Sequence, residues 1–518
     1  MVKIAAISYV SVTVVVFALF SEGKMLKENY ILLGKAGDKE IRLLPNMLNR
    51  HGLIAGASGT GKTVTLKVIA ESLSQMGVST FIADVKGDLS GMIQEGDLSA
   101  ISGRLEKLGI TDFEVRKFPV HFFDVYRKKG HPIRAIMEEF DSLLLARILE
   151  LTDAQEGNLQ IILKVAQDMN LDIIDLKDLQ AMANYVGEHA SELSLKYGNV
   201  TKQSIGGIQR KLLQLEQQGG TNLFGLPALS IQDLITTEGG LGMMNMLECQ
   251  ELFQHPLLYA TFLLWLLNRI YQDLPEVGDV EKPKIVFFFD EAHLLFKDAP
   301  KALLDKIEQI VKLVRSKGVG VFFITQSPND IPNSVLAQLS NRIQHALRAY
   351  TPTEIKAVKL AADSFRTNPN LDTAERITNM KTGTALVSVL DEDGAPTIVE
   401  ETMILPPMSS MQIADEALVM QTIQHDSIYG KYEKDIDPES AFESMNAIKE
   451  QEEEEARLAK EKISQEKLAA AQAKEDAKRS KENDWTGRIA KKIRNRTETE
   501  LINVGIRSAK KFLSGFFK

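Results

Sequence analysis

One cysteine, Cys249, stands in 518 residues. That excludes an intramolecular disulfide framework and any cysteine-rich zinc site, and it suits a reducing compartment. Cys249 itself reads as a small buried apolar residue. An excess of basic charge is also lacking: 61 Lys and Arg stand against 70 Asp and Glu, for a net charge of −9 and a pI near 5.6. With no global positive field, any contact with nucleic acid has to come from local patches. No long internal repeat is visible. Uncharged runs are short, and the longest candidate for a membrane span, Ile4 to Phe20 behind Lys3, has 17 residues, the lower limit for crossing a bilayer. Its Val, Ser and Thr content is weak for a spanning helix, and no small-x-small cleavage site follows it. An anchor, a buried segment, and upstream sequence ahead of a start at Met25 compete as readings of residues 1–24. The last is favoured because everything after it reads as cytoplasmic.

What is present, 44% apolar and 25% charged residues, gives room for a large core of one or two domains with appendages. The pattern predicts an α/β chain. Ile31 to Leu44 reads as a strand pair turned at Gly37-Asp38. The apolar strand His51-Gly-Leu-Ile-Ala55 runs straight into a glycine-rich loop, and Val64, Val68, Ile69, Leu73 and Met76 follow at helical spacing. Further strands end at Asp84 and Asp124. Residues 25–131 therefore read as the first part of a mainly parallel sheet. Residues 132–275, with helical periodicity and glycine breaks, read as a mostly helical insertion. Strand patterns resume over 276–407: Lys284 to Asp290, Val319 to Thr325, Ile343 to Ala349, and a hairpin of Ala385–Leu390 with Thr397–Thr402. Runs apolar at every position are expected for strands covered on both faces. Residues 408–518 read as a charged helical extension. Its 434–482 stretch lacks an apolar heptad, and the segment from Trp485 to Lys518 holds nine Lys and Arg against two Glu.

Gly56-Ala57-Ser58-Gly59-Thr60-Gly61-Lys62-Thr63 matches G-x-x-x-x-G-K-[ST] in full. Glycines at those positions let successive N–H groups point at phosphate oxygens, and the following helix presents its positive end. Lys62 neutralises the β- and γ-phosphates, and Thr63 ligates Mg²⁺. A lone match of this kind is weak evidence, but strand, loop and periodic helix supply the context it requires. Asp290 ends the most apolar strand and Glu291 follows it, so the pair suits Mg²⁺ binding and deprotonation of an attacking water. His293, two residues on, reads as a loop or core residue. Gln326 closes the next strand, where an amide faces the γ-phosphate or the water. Arg315 precedes that strand, and reads either as a helix-end surface residue or as a cation for a neighbouring subunit's nucleotide. Asp84-Val-Lys-Gly-Asp88 lines the site or only marks a turn.

The stretches HGLIAGASGTGKTVTLKVIAESLS, FIADVKGDLSGM, YGNVTKQSIGGIQRKLLQLEQQGG, PKIVFFFDEAHLLF, VRSKGVG and NRIQHALRAYTP resemble the YjgR-type branch of the HerA/FtsK superfamily of P-loop ATPases. The resemblance runs from about Met25 to Pro407 and more faintly into the basic tail; the apolar leader departs from it. It implies a RecA-like core with an additional strand, assembling as a ring, usually hexameric, with ATP hydrolysed between subunits. It further implies that Gln326 contacts nucleotide and that Arg315 acts in trans. By analogy the expected activity is a DNA translocase or helicase-like motor. The alternative is a membrane-associated or protein-handling ATPase that docks its basic tail, with Phe512 and Phe516, on an anionic bilayer.

Overall fold

The computed structural model describes residues 26–27, 30–278, 280–297 and 301–479. The leader Ile4–Phe20 and the basic segment 485–518 lie outside them. Among the described residues no helix is long and apolar enough to cross a membrane.

The chain divides into two units, one ending at Ala135 and resuming over Leu226–Asp435, the other formed by Ile136–Gly225 and the chain from Ile436 onward. In the first unit lies a 13-stranded sheet. Its strands include β1 Tyr30–Ala36, β2 Lys39–Leu43, β3 Gly52–Ala55, β4 Ser79–Asp84, β5 Val120–Asp124, β6 Met244–Glu248, β7 Ile285–Phe289, β8 Val319–Thr325, β9 Asn341–His345, β10 Thr384–Ser388 and β11 Glu400–Ile404. The spatial order β1-β11-β10-β9-β3-β8-β7-β4-β6-β5 is parallel from β9 to β5 and antiparallel from β9 back to β1. The strand carrying the glycine-rich loop, β3, thus sits between β9 and β8, and β7 stands one strand further on.

Burial explains why these strands are central. Every residue of β7 and β8 is buried, and Phe287, Phe288 and Phe289 are fully inside. Burying each Phe contributes about 1.5–3 kcal/mol. A strand dry on both faces needs apolar residues at every position, hence the unbroken Ile-Val-Phe-Phe-Phe. Gly52 opens β3 because a Cβ there would lie 2.2 Å from the Phe322 ring. Strand ends shift from the sequence expectation: β9 closes at His345 rather than Ala349, and the hairpin is Thr384–Ser388 with Glu400–Ile404.

The domain boundaries also need correction. The insertion expected over 132–275 is confined to 136–225, because β6 and the helix Pro256–Asp273 belong to the sheet unit. The side chains from Leu258 to Leu267 are all buried, as a helix apolar on all sides requires. The extension expected from 408 begins only after Asp435. Residues 408–410 are held to helix α1, Lys62–Gln75, by Glu71, which is fully buried and accepts the Met408 N–H at 2.6 Å and the Ser409 N–H at 3.3 Å. Lys67 of the same helix donates to the Ser410 carbonyl.

The second unit is helical. Its helices start where the sequence supplies acceptors for orphan N–H groups: Asp141 before Ser142–Ile148, Thr152 before Asp153–Asp168, Asp175 before Leu176–Glu188 and Thr201 before Lys202–Gln217. The last helix, Ala441–Arg479, is rooted on Leu176–Glu188. Asp178 there accepts from Ser440 Oγ at 2.6 Å and from the Phe442 N–H at 2.9 Å. Beyond that root it is mostly solvated, as its charge run predicts.

Candidate nucleotide site

The glycine-rich loop leaves β3 and is pinned to both neighbouring strands. Gly56 N–H donates to the Thr325 carbonyl at 3.2 Å, and Ala57 N–H to the Ala346 carbonyl at 2.8 Å. Thr60 Oγ1 closes the loop on the Ala57 carbonyl at 2.7 Å. Gly61 lies at φ 116°, a conformation L side chains rarely adopt, and a Cβ on Gly56 would fall 2.5 Å from the His345 Cβ. Those two glycines therefore answer to backbone geometry and to close packing. Ser58 and Gly59 stay exposed at the mouth of the loop.

Helix α1 begins at Lys62 with no side-chain cap and no acidic residue in its first turn. Its first N–H groups and the positive end of its dipole are thus left for an anion. Lys62 is 5% exposed, and its Nζ donates to the Gly56 carbonyl at 2.6 Å and the Ala57 carbonyl at 3.1 Å, within its own loop. Burial and then the nearby Lys86 charge depress its pKa, while Asp290 and Glu291 act the other way. Thr63 is half-buried on the next position of the helix.

Asp290 and Glu291 follow β7 at the same edge of the sheet, since β7 and β3 are both parallel to β8. Burial raises the Asp290 carboxyl above its usual range, opposed by Lys86 and Lys62. Glu291 is buried and sits at φ 49°, left-handed for a residue with a Cβ. Such a conformation costs about 1–3 kcal/mol and persists only where its surroundings enforce it. The enforcing bonds are visible: the Glu291 N–H to Asp290 Oδ1 at 2.9 Å, the Ala292 N–H to the Ile324 carbonyl at 2.9 Å, and Tyr259 Oη to the Asp290 carbonyl at 2.8 Å. Glu291 Oε2 has no hydrogen-bond partner among the described residues, an orphan acceptor at the site.

The Lys62, Gly56, Gly61, Asp290 and Glu291 arrangement fits a bound nucleoside triphosphate. One hydroxyl, Thr63, and one carboxylate, Asp290, form the small oxygen donor set that Mg²⁺ uses alongside phosphate oxygens. Gln326 follows β8 directly at this same edge and is exposed. Arg315 lies elsewhere. It precedes Val319, the first residue of β8, so the whole strand, about 20 Å long, separates it from its own chain's loop.

Four residues enter the site that the motifs do not name. His345 ends β9 beneath the loop; its Nδ1 donates to the Thr384 carbonyl at 3.1 Å, so its Nε2 accepts from Thr65 Oγ1 at 2.9 Å. Burial lowers it to about 4, so the ring is neutral and acts as a buttress. His293, expected to be a bland loop residue, places Nδ1 3.3 Å from Glu291 Oε2, without hydrogen-bond geometry. Tyr259 comes from a distant helix and Lys86 from the turn after β4, 4.0 Å from Asp290. Only Lys86 carried a signal, its place in a polar run at a strand end.

Known proteins resemble this chain in sequence and in fold. The DNA double-strand break repair helicase HerA of Sulfurisphaera tokodaii is 22% identical over 378 residues, covering 71% of this chain and 67% of the relative. HerA of Sulfolobus acidocaldarius is 21% identical over 360 residues, covering 69% and 65%. The chain thus spans about two thirds of the length of these relatives. Among solved structures, the plasmid coupling protein TrwB in complex with ADP and Mg²⁺ matches with a TM-score of 0.51 at 14% identity, over 75% of this chain and 94% of that one, a likeness of fold. The family model described as helicase HerA-like C-terminal matches residues 29–514, so the chain belongs to the HerA-like helicase family of P-loop ATPases.

Proposed function

We propose that this chain is a ring-forming motor that hydrolyses ATP between neighbouring subunits and uses it to move DNA. The observation that carries the reading is the split of its polar and charged groups across the sheet. Lys62, Thr63, Asp290, Glu291 and Gln326 follow the carboxyl ends of the parallel strands, whereas Arg315 stands at the amino end of β8. A cation so placed serves a nucleotide held by another copy, and a head-to-tail contact repeated with a rotation that closes makes a ring.

In this scheme the loop amides and Lys62 hold the β- and γ-phosphates. Glu291 takes the proton of the attacking water, and its enforced φ aims the carboxylate before substrate arrives. Gln326 orients that water or the γ-phosphate, and Arg315 of the next subunit stabilises charge in the transition state. Mg²⁺, when held through Thr63 and Asp290, neutralises the phosphate oxygens. DNA as the moved substrate is supported by the helicase relatives. A hexamer follows the family resemblance.

ATPase rate measured with and without single- and double-stranded DNA, on nuclease-free protein sized by light scattering, tests both halves. Stimulation by DNA in an oligomer supports the motor. A rate indifferent to every DNA, or a fully active monomer, sinks it. The basic segment 485–518 favours a second reading, an ATPase acting at an anionic membrane surface. Liposome co-sedimentation unchanged by deleting that segment removes it.

A further inference from the structure

The turn after β4 presents a lysine that the scheme above does not use. Asp84 ends the strand, and its carboxylate accepts the Gly87 N–H at 2.8 Å and the Leu89 N–H at 3.0 Å. From the turn after β6, Gln250 Nε2 donates to the Lys86 carbonyl at 2.8 Å. Gly87 lies at φ 68°, and a Cβ there would meet Gln250 Nε2 at 2.4 Å. Side chains from two strand ends therefore hold the backbone of this turn in one shape, and a glycine is needed to make it.

What the turn holds out is the Lys86 side chain, 40% exposed, with Nζ 4.0 Å from Asp290 Oδ2. That separation is an ion pair without a hydrogen bond, so the ammonium retains donors for another acceptor. The strands that lead to Lys86, to Asp290 and to the uncapped N-terminus of α1 run parallel and end at one edge of the sheet, so a polyphosphate drawn to that helix end meets the Lys86 ammonium as a further cation. Mg²⁺, were it held by Asp290 beside a bound nucleotide, would supply that carboxylate's counter-charge and leave the Lys86 ammonium free of its 4.0 Å pairing. Its flexible four-carbon stem then lets Nζ swing while the backbone stays fixed.

We infer that Lys86 senses the nucleotide state: it pairs with Asp290 when the loop is empty and moves onto the terminal phosphate of a nucleoside triphosphate, distinguishing ATP from ADP. The inference rests on the ATPase reading and adds to it a residue outside the loop and the Asp290-Glu291 pair. The full-length chain carrying Glu291→Gln, so that ATP survives, is titrated with fluorescent ATP and ADP analogues in Mg²⁺, alone and combined with Lys86→Met, Lys86→Arg or Lys62→Ala.

Lys86→Met is expected to weaken ATP binding about tenfold while ADP binding moves less than about twofold. Lys86→Arg is expected to restore most of the ATP preference, a rescue that loss of a merely structural contact would not give. An unchanged ATP-to-ADP affinity ratio in Lys86→Met, or an equal loss for both nucleotides, overturns the inference. If both nucleotides bind in a Lys62-dependent way and only the ratio fails to respond, the ATPase reading stands and the sensor falls. If neither nucleotide binds to the Glu291→Gln protein, both fall together.

Discussion

At the scale of single residues the site separates holding from reacting. Lys62 is buried and bonded to two carbonyls of its own loop, so Lys62→Ala should weaken ATP binding by about one to two orders of magnitude. Isothermal titration with a non-hydrolysable analogue measures this; unchanged affinity would remove Lys62 from the phosphate site. Glu291→Gln keeps the size and the enforced backbone but removes the carboxylate proposed as the base. ATP binding should persist while turnover falls by about 10²–10⁴-fold. Parental turnover in that variant would refute Glu291 as the base. Gly56→Ala places a methyl 2.5 Å from the His345 Cβ, so either the loop or β9 must shift. Thermal unfolding should show a loss of about 1–3 kcal/mol.

At the scale of elements, the outer strand β5 is joined to the chain after β11 by a buried cluster. Asp426 Oδ2 bridges His121 Nδ1 at 2.7 Å and His131 Nε2 at 3.0 Å, and His131 Nδ1 reaches Glu433 Oε1 at 2.6 Å. Burial alone would lower the His131 pKa, but the two carboxylates outweigh it and hold it above 6.5. A group raised on folding contributes stability that is complete below its unfolded pKa and is lost as pH rises through the folded value. The parental protein should therefore lose thermal stability as pH rises above 6.5, and His131→Asn should flatten that fall. Melting curves from pH 6 to 9 with the same slope in both proteins would disprove it. Asp426 titrates on the other side: burial opposes its ionisation, yet the two histidines depress it, so its contribution survives until strongly acid pH.

At the scale of the whole molecule the prediction concerns subunits. Arg315→Ala should retain nucleotide binding and lose about 10³-fold or more in turnover. Mixing Arg315→Ala with Lys62→Ala subunits should recover activity. A junction between an intact loop from the first and an intact arginine from the second is complete, and random mixing makes roughly a quarter of junctions so. No recovery on mixing, in an oligomer shown to exchange subunits, would place Arg315 outside the neighbour's site.

How much of this was legible follows from where each signal resides. Local chemistry sufficed for the loop: G-x-x-x-x-G-K-T behind an apolar strand admits few other backbones, and the doubly covered strand before Asp290-Glu291 declares itself by its unbroken apolar run. The strand β6 was hidden. Met-Asn-Met-Leu-Glu has no β-branched residue, and its buried Asn245 is tolerated because Nδ2 finds the Thr80 and Leu234 carbonyls at 2.9 Å each. Missing it extended the insertion to 275 on paper. The insertion's true edges depend on which helices find the sheet, a choice made by long-range packing. The same holds for His345, Tyr259 and Lys86, which come from strand ends and helices far apart in sequence. The sequence by itself determined the glycine-rich loop, the Asp290-Glu291 pair and the apolar strands that carry them, because each is written in consecutive residues. Only the tertiary structure decided which distant side chains buttress that site and which lysine faces Asp290, because those positions are set by strand register across the sheet.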